Sequence, residues 1–318
     1  MDLRLRGLSA LVTGAGSGIG RAVALALAAV CALVLAGCSA GAPGDDGDDG
    51  TVRVVASTNV YGDIARAIAG DDVEVTALMT DPAQDPHSFE VSAQSQLAVS
   101  KADILIENGG GYDDFMATLR TGSKNDHATV LNAVELSGKQ ADNGAFNEHV
   151  WYDFPSVQKL ASALAAALTK ADPEQEATFE ANAASFSSKL TALEDRTAAL
   201  KVRYAGEGVA ITEPVPLYLL ETIGLVNKTP ERFSAAIEEG RDVSPVVLKE
   251  TLALFPAHEV RLLAYNEQTS GPETEKVLAA AKHAGVPVVP VTETLPSGTD
   301  YPGWMSANVD AIHKALAE

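Results

Sequence analysis

The sequence predicts an α/β protein: two (β/α) lobes with parallel sheets, joined by one long rigid helix. Three observations lead there. From residue 51 onward, short apolar runs alternate with amphipathic stretches, the pattern of strands joined by crossover helices. The strand-like runs fall into two series with a single long helical stretch between them. Aromatic residues are few (8 Phe, 7 Tyr and 2 Trp), so Ala and Val must fill much of the core, which favours helix-covered layers over a β-sandwich.

The first series comprises VRVVAST (52–58), VEVTALM (73–79), ADILIEN (102–108) and ATVLNA (128–133). Each is apolar and rich in β-branched residues, as strands covered on both faces should be. The second series is GVAIT (208–212), VRLLAYN (260–266) and VPVVPVT (286–292). The helical stretch between them starts near Pro173 and carries Phe179, Phe186, Leu190, Leu193 and Leu200, with Glu, Lys and Arg between. Those apolar positions recur at three- and four-residue spacing, the signature of an amphipathic helix. At 1.5 Å per residue, about 30 residues span some 45 Å, enough to run across two small lobes. The expected division is a first lobe at 51–172, a connecting helix at 173–203 and a second lobe at 204–318.

The first fifty residues read differently. AVALALAAVCALVLAG (22–37) carries no charge and follows Arg4, Arg6 and Arg21. It is short for a membrane span of about 20 residues but long enough for the apolar region of a signal peptide. It ends in Leu35-Ala36-Gly37-Cys38, which resembles the lipobox of bacterial lipoproteins, where the cysteine is lipidated and becomes the new N-terminus. GAPGDDGDDG (41–50) then reads as a flexible acidic tether. The expectation is a signal peptide with an atypical leader at 1–37, a lipidated Cys38 opening a tether at 38–50, and a protein anchored on the outer face of the cytoplasmic membrane. One motif competes. Thr13 to Gly20, T-G-x-x-x-G-I-G, resembles the cofactor loop of short-chain dehydrogenases. A dinucleotide site needs a second strand with an acidic residue about 20 residues on, and here that distance lands in the lipobox and tether. The catalytic Tyr-x-x-x-Lys of those enzymes is also missing, so no NAD(P)-dependent activity is expected and the chain is not read as an enzyme.

Acidic residues outnumber basic ones 43 to 23, a net charge of −20. Such a surface repels phosphate backbones and argues against nucleic-acid partners, while it suits a cationic ligand. The two cysteines, Cys31 and Cys38, leave none in the main body, so any metal there must be held by His, Asp or Glu. In open parallel sheets ligands collect beyond the carboxyl ends of the strands. His87 follows the strand VEVTALM in TDPAQDPHSFE, and His149 lies in NEHVWYDFP ahead of a helix that Pro155 can open. Glu213 follows GVAIT directly, ahead of Pro214 and Pro216, and Glu293 follows VPVVPVT. Two neutral imidazoles and two carboxylates make a four-ligand site for a divalent cation, formally neutral once the ion is bound. His127, His258, His283 and His313 read as surface residues.

DPHSFEVSAQSQLAVSKADILIENGGGYDDFM (85–116) resembles the cluster A-I solute-binding proteins of bacterial ABC transporters for manganese and zinc. EHVWYDF (148–154), ITEPVPLYLLETIGL (211–225) and VTETLPSGTDYPGWMSANVDAIHKAL (291–316) are similar to its further ligand segments, in the same order. The resemblance implies that His87, His149, Glu213 and Glu293 hold Mn²⁺ or Zn²⁺ between the lobes, with Glu267 of YNEQTSGPETEKV (265–277) supporting the site from behind. It also implies delivery to an ABC permease driven by its ATPase; the receptor is expected to be a monomer, and the long, stiff connecting helix predicts only modest lobe movement. A surface adhesin on the same fold is the other reading that such lipoproteins allow. The sequence departs from the family in three ways: Glu148 stands where Pro usually precedes the second ligand, Glu293 stands for Asp, and the His-rich loop of many zinc members is absent. The two carboxylates lean the metal toward Mn²⁺, the harder ion.

Overall fold

The computed structural model describes residues 50–81, 89–141 and 146–318. The signal peptide at 1–37, the T-G-x-x-x-G-I-G motif, Cys38 with the tether up to residue 49, and His87 lie outside the described residues. Thr51–Glu318 form one compact unit.

The first sheet is built from β1 (Arg53–Thr58), β2 (Glu74–Met79), β3 (Ile104–Glu107) and β4 (Thr129–Asn132), all parallel in the order β2-β1-β3-β4. Helix α1 (Asn59–Ala69) lies on one face, with Val60, Tyr61, Ile64 and Ile68 buried, and α2 (Ala93–Ser100) and α3 (Phe115–Ser123) supply the other. Coverage on both sides explains why β1 is buried without alternation from Val54 to Thr58. After the short α4 (Ala133–Ser137) and a 3₁₀ turn at Val150–Tyr152 comes α5 (Phe154–Ala171). Asp153 caps α5 by accepting from Ser156 N–H, and Pro155 occupies its first turn, where a missing N–H costs nothing.

A second 3₁₀ turn, Pro173–Gln175, leads into α6 (Glu176–Tyr204), the helix the periodicity predicts. Its 29 residues span about 43 Å, and Phe179, Phe186, Leu190, Leu193 and Leu200 are all buried, as their spacing requires. The helix packs on α1 and α5 from the first half and on α11 (Tyr301–Ala317) from the second, so a single rod braces both. Leu190 is fully buried in that contact. Leu190→Ala is expected to cost about 2–5 kcal/mol, read as a lower urea midpoint with an unchanged slope.

The second sheet contains β5 (Gly208–Ile211), β6 (Val226–Asn227), β7 (Leu263–Asn266) and β8 (Val288–Val291), again parallel, in the order β6-β5-β7-β8. Helices α7 (Leu217–Thr222), α8 (Glu231–Glu238), α9 (Pro245–Ala253) and α10 (Pro272–His283) intervene. Strand β6 has only two residues, too short to carry a period-two signal, and the sequence does not reveal it.

The two halves meet through backbone-directed hydrogen bonds. The Asn59 amide donates to Leu295 O at 2.8 Å and accepts from Leu295 N–H at 3.0 Å. Tyr301 N–H donates to Asp63 at 2.7 Å, and its hydroxyl donates to Trp151 O at 2.6 Å. Tyr152 hydroxyl donates to Thr292 O at 2.8 Å. Both tryptophans and four tyrosines gather here: Tyr61, Tyr112, Trp151, Tyr152, Tyr301 and Trp304 form one buried cluster.

Candidate metal site

His149 sits just before the 3₁₀ turn, with no exposed surface. Its Nδ1 lies 2.7 Å from Asn147 Oδ1, and the same oxygen accepts from the His149 backbone N–H at 3.2 Å. The Asn147 amide nitrogen donates to Pro214 O at 3.2 Å, which fixes which end of the amide is which. Oδ1 can only accept, so this network assigns the ring proton to Nδ1 and turns Nε2, with its lone pair, toward the site. That is the arrangement of a metal-ligating imidazole oriented by an oxygen behind it. Tyr112 and Trp151 wall the ring edge-on, with centroids at 5.8 and 5.0 Å.

Glu213 leaves the end of β5 through Thr212 and is 3% exposed. Glu293 leaves β8 through Thr292 and is 6% exposed; its backbone N–H is held by Gln268 Oε1 at 2.5 Å. Asn266, the last residue of β7, lies between them and donates from Nδ2 to Glu213 Oε2 at 2.5 Å and to Glu293 Oε1 at 2.8 Å. One amide therefore clamps two carboxylates whose charges repel. Burial, followed by the charges of Glu238 and Glu293, pushes the Glu213 carboxyl up to about 8, against the lowering effect of its bonds to Asn266 and Thr269. Burial, and next the charge of Glu293, also keeps the Tyr112 phenol protonated far above its usual range.

The structure thus brings His149, Glu213 and Glu293 into one buried neighbourhood, at the carboxyl ends of the strands. Glu267 is a correction. It is exposed, one residue beyond the end of β7. Alternation along the strand gives the inward place to Asn266, and the supporting role expected of Glu267 falls to that amide. The sequence reading also misses Glu238, whose Oε1 lies 3.4 Å from His149 Nε2. It ends α8 in the pair Glu238-Glu239, with no spacing to mark it; only the fold separates a largely buried Glu238 from an exposed neighbour. His127, His258 and His283 are exposed as expected, while His313 is half-buried beside Tyr204. Among the described residues, no three His, Cys, Asp or Glu side chains converge tightly enough to hold an ion by themselves. The fourth expected donor, His87, lies outside the described residues.

Residues 54–315 match the family model for ZnuA, the zinc-uptake complex component A, periplasmic. The chain belongs to the ZnuA family. Its relatives include the manganese ABC transporter substrate-binding lipoprotein scaA of Streptococcus gordonii, 25% identical over 303 residues that cover 89% of this chain and 95% of scaA. Another is the manganese ABC transporter substrate-binding lipoprotein PsaA of Streptococcus pneumoniae, 27% identical over 69% of this chain and 78% of PsaA. Among solved structures, FpvC of Pseudomonas aeruginosa in complex with Mn²⁺ shares the fold with a TM-score of 0.70 at 22% identity, covering 84% of this chain and 98% of FpvC. The match to the ZnuA family begins at residue 54, beyond the dehydrogenase-like motif at 13–20, and the relatives are transport receptors, which leaves the oxidoreductase and adhesin readings without support.

Proposed function

We propose that this protein captures a divalent transition metal, Mn²⁺ or Zn²⁺, outside the cytoplasm and delivers it to an ABC permease and its ATPase for import. The observation that carries this is a fully buried imidazole, oriented through Nδ1, with a carboxylate 3.4 Å from its Nε2 and two more buried carboxylates clamped together by one amide nearby. Carboxylates gathered this closely away from water are costly unless a proton or a cation offsets their charge. His149 would supply nitrogen from the first lobe (51–172), with His87 as the second imidazole, and Glu213 and Glu293 would supply oxygen from the second (204–318). The connecting helix at 173–203 would keep lobe movement small. Lipidation at Cys38 would hold the monomeric receptor at the membrane. Oxygen-rich donors favour Mn²⁺ by hardness, while raw affinity favours Zn²⁺, so the metal loaded in cells depends on supply as well as on the site.

The test is elemental analysis of the full-length protein purified from cells grown with both ions, paired with uptake of each ion by cells lacking the gene. The expected result is protein-bound manganese or zinc and slowed import of that same ion. Protein free of both metals, with import unchanged, refutes the reading.

A further inference from the structure

Glu238 holds a place that the four-ligand description of this site does not include. It is the terminal residue of α8, and its side chain is only 11% exposed although Glu239 beside it lies at the surface. Its Oε1 stands 3.4 Å from His149 Nε2. That separation is long for an N–H···O hydrogen bond, which favours about 2.9–3.0 Å. It matches a different geometry. Two donors each about 2.1–2.2 Å from a common ion stand roughly 3.0–3.7 Å apart over the 90–120° angles between neighbouring donors in shells of four to six. Imidazole and carboxylate are thus already spaced as one edge of a coordination sphere. The Glu238 charge also acts on Glu213 and Tyr112, so the carboxylate lies near both. The end of a helix is, besides, the end where a cation is favoured and a lone carboxylate is not.

Building on the metal-capture reading, we infer that Glu238 is itself a ligand of the bound ion, a third carboxylate beside Glu213 and Glu293 that enriches the donor set in oxygen and biases the site toward Mn²⁺ over Zn²⁺. Zinc is satisfied by four donors; manganese takes more, and takes oxygen readily. With three carboxylates around a dication, the loaded site carries a net negative charge. This suits an ion held chiefly by electrostatics.

The experiment compares the full-length native chain with Glu238→Gln, Glu238→Asp and, as a surface control, Glu239→Gln. Each is titrated with Mn²⁺ and with Zn²⁺ against a competing chelator, and each is loaded with Co²⁺ to record its visible absorption. Glu238→Gln is expected to weaken Mn²⁺ binding about tenfold or more and Zn²⁺ binding less, and to intensify the Co²⁺ bands as the ion loses a donor. Glu238→Asp should recover part of the Mn²⁺ preference, and Glu239→Gln should match the native chain. Equal weakening of both ions with an unaltered Co²⁺ spectrum would show a residue that merely steadies His149, and overturns the inference; unchanged binding of both ions overturns it too. A native chain that takes up neither ion overturns the capture reading itself.

Discussion

Replacing His149 by alanine is expected to abolish tight metal binding while leaving the fold in place. In this family of sites, losing a group that only orients a ligand costs about 10–100-fold in affinity, so losing the ligand itself should cost more than about 100-fold. The same protein offers the internal comparison. Asn147 orients the imidazole through Nδ1 and should, as Asn147→Ala, fall within that 10–100-fold range. Isothermal titration of the native chain and both variants gives the ranking directly. The reverse order, with Asn147→Ala the more damaging, would mean that the bridge from Asn147 to Pro214 matters more than the imidazole nitrogen does. His149 is wholly buried among Tyr112 and Trp151, so the alanine variant also opens a small cavity and should lower the melting temperature.

Metal-free protein should lose stability as pH rises from about 5 to 8, the opposite of the usual acidic-residue behaviour. The Glu213 carboxyl is held up at about 8, against an ordinary value of 4.5 in the unfolded chain. Between those values the folded state binds a proton that the unfolded state has released. Stability from this group is therefore complete below 4.5, declines through the interval, and is gone above about 8. Burial pushes Asp63 and Asp113 in the same direction, adding to the slope at its acidic end. The expected fall is on the order of a few kcal/mol, visible in urea unfolding of chelated protein at a series of pH values. Glu213→Gln should flatten the curve. An ion bound at the site takes the place of that proton, so metal affinity should rise with pH up to about 8 and the stabilisation by added metal should grow alongside it. Affinity that is flat from pH 5 to 8 would show that Glu213 does not bind the ion.

The architecture was legible because both signals behind it are strong in the chain. Seven largely apolar β-like runs could be read directly, and the spacing of Phe179, Phe186, Leu190, Leu193 and Leu200 drew α6 to within a few residues. The site was legible where a donor sits directly after a strand, as Glu213 and Glu293 do. It was not legible at Asn266, because an amide that bridges two carboxylates carries no mark in one dimension, and the parity of β7 had to be known to prefer it to Glu267. Glu238 was invisible for a related reason. A helix-end glutamate in an acidic run looks solvated until the helix is packed against an imidazole from the other half of the chain.

The seam between the halves has a kinetic consequence. Asn59 with Leu295, Asp63 with Tyr301, and Tyr152 with Thr292 are paired across it, and most of these bonds end on main chain that cannot swing away. Prising the halves apart would sever them together, as teeth leave a zip, instead of one after another. A cargo lodged behind such a closure would leave slowly of its own accord, and its residence time would be governed by the rarity of that joint rupture. The docked transporter would then act on the closure and leave the ion's own bonds to follow, which would let a tight trap still be a quick donor.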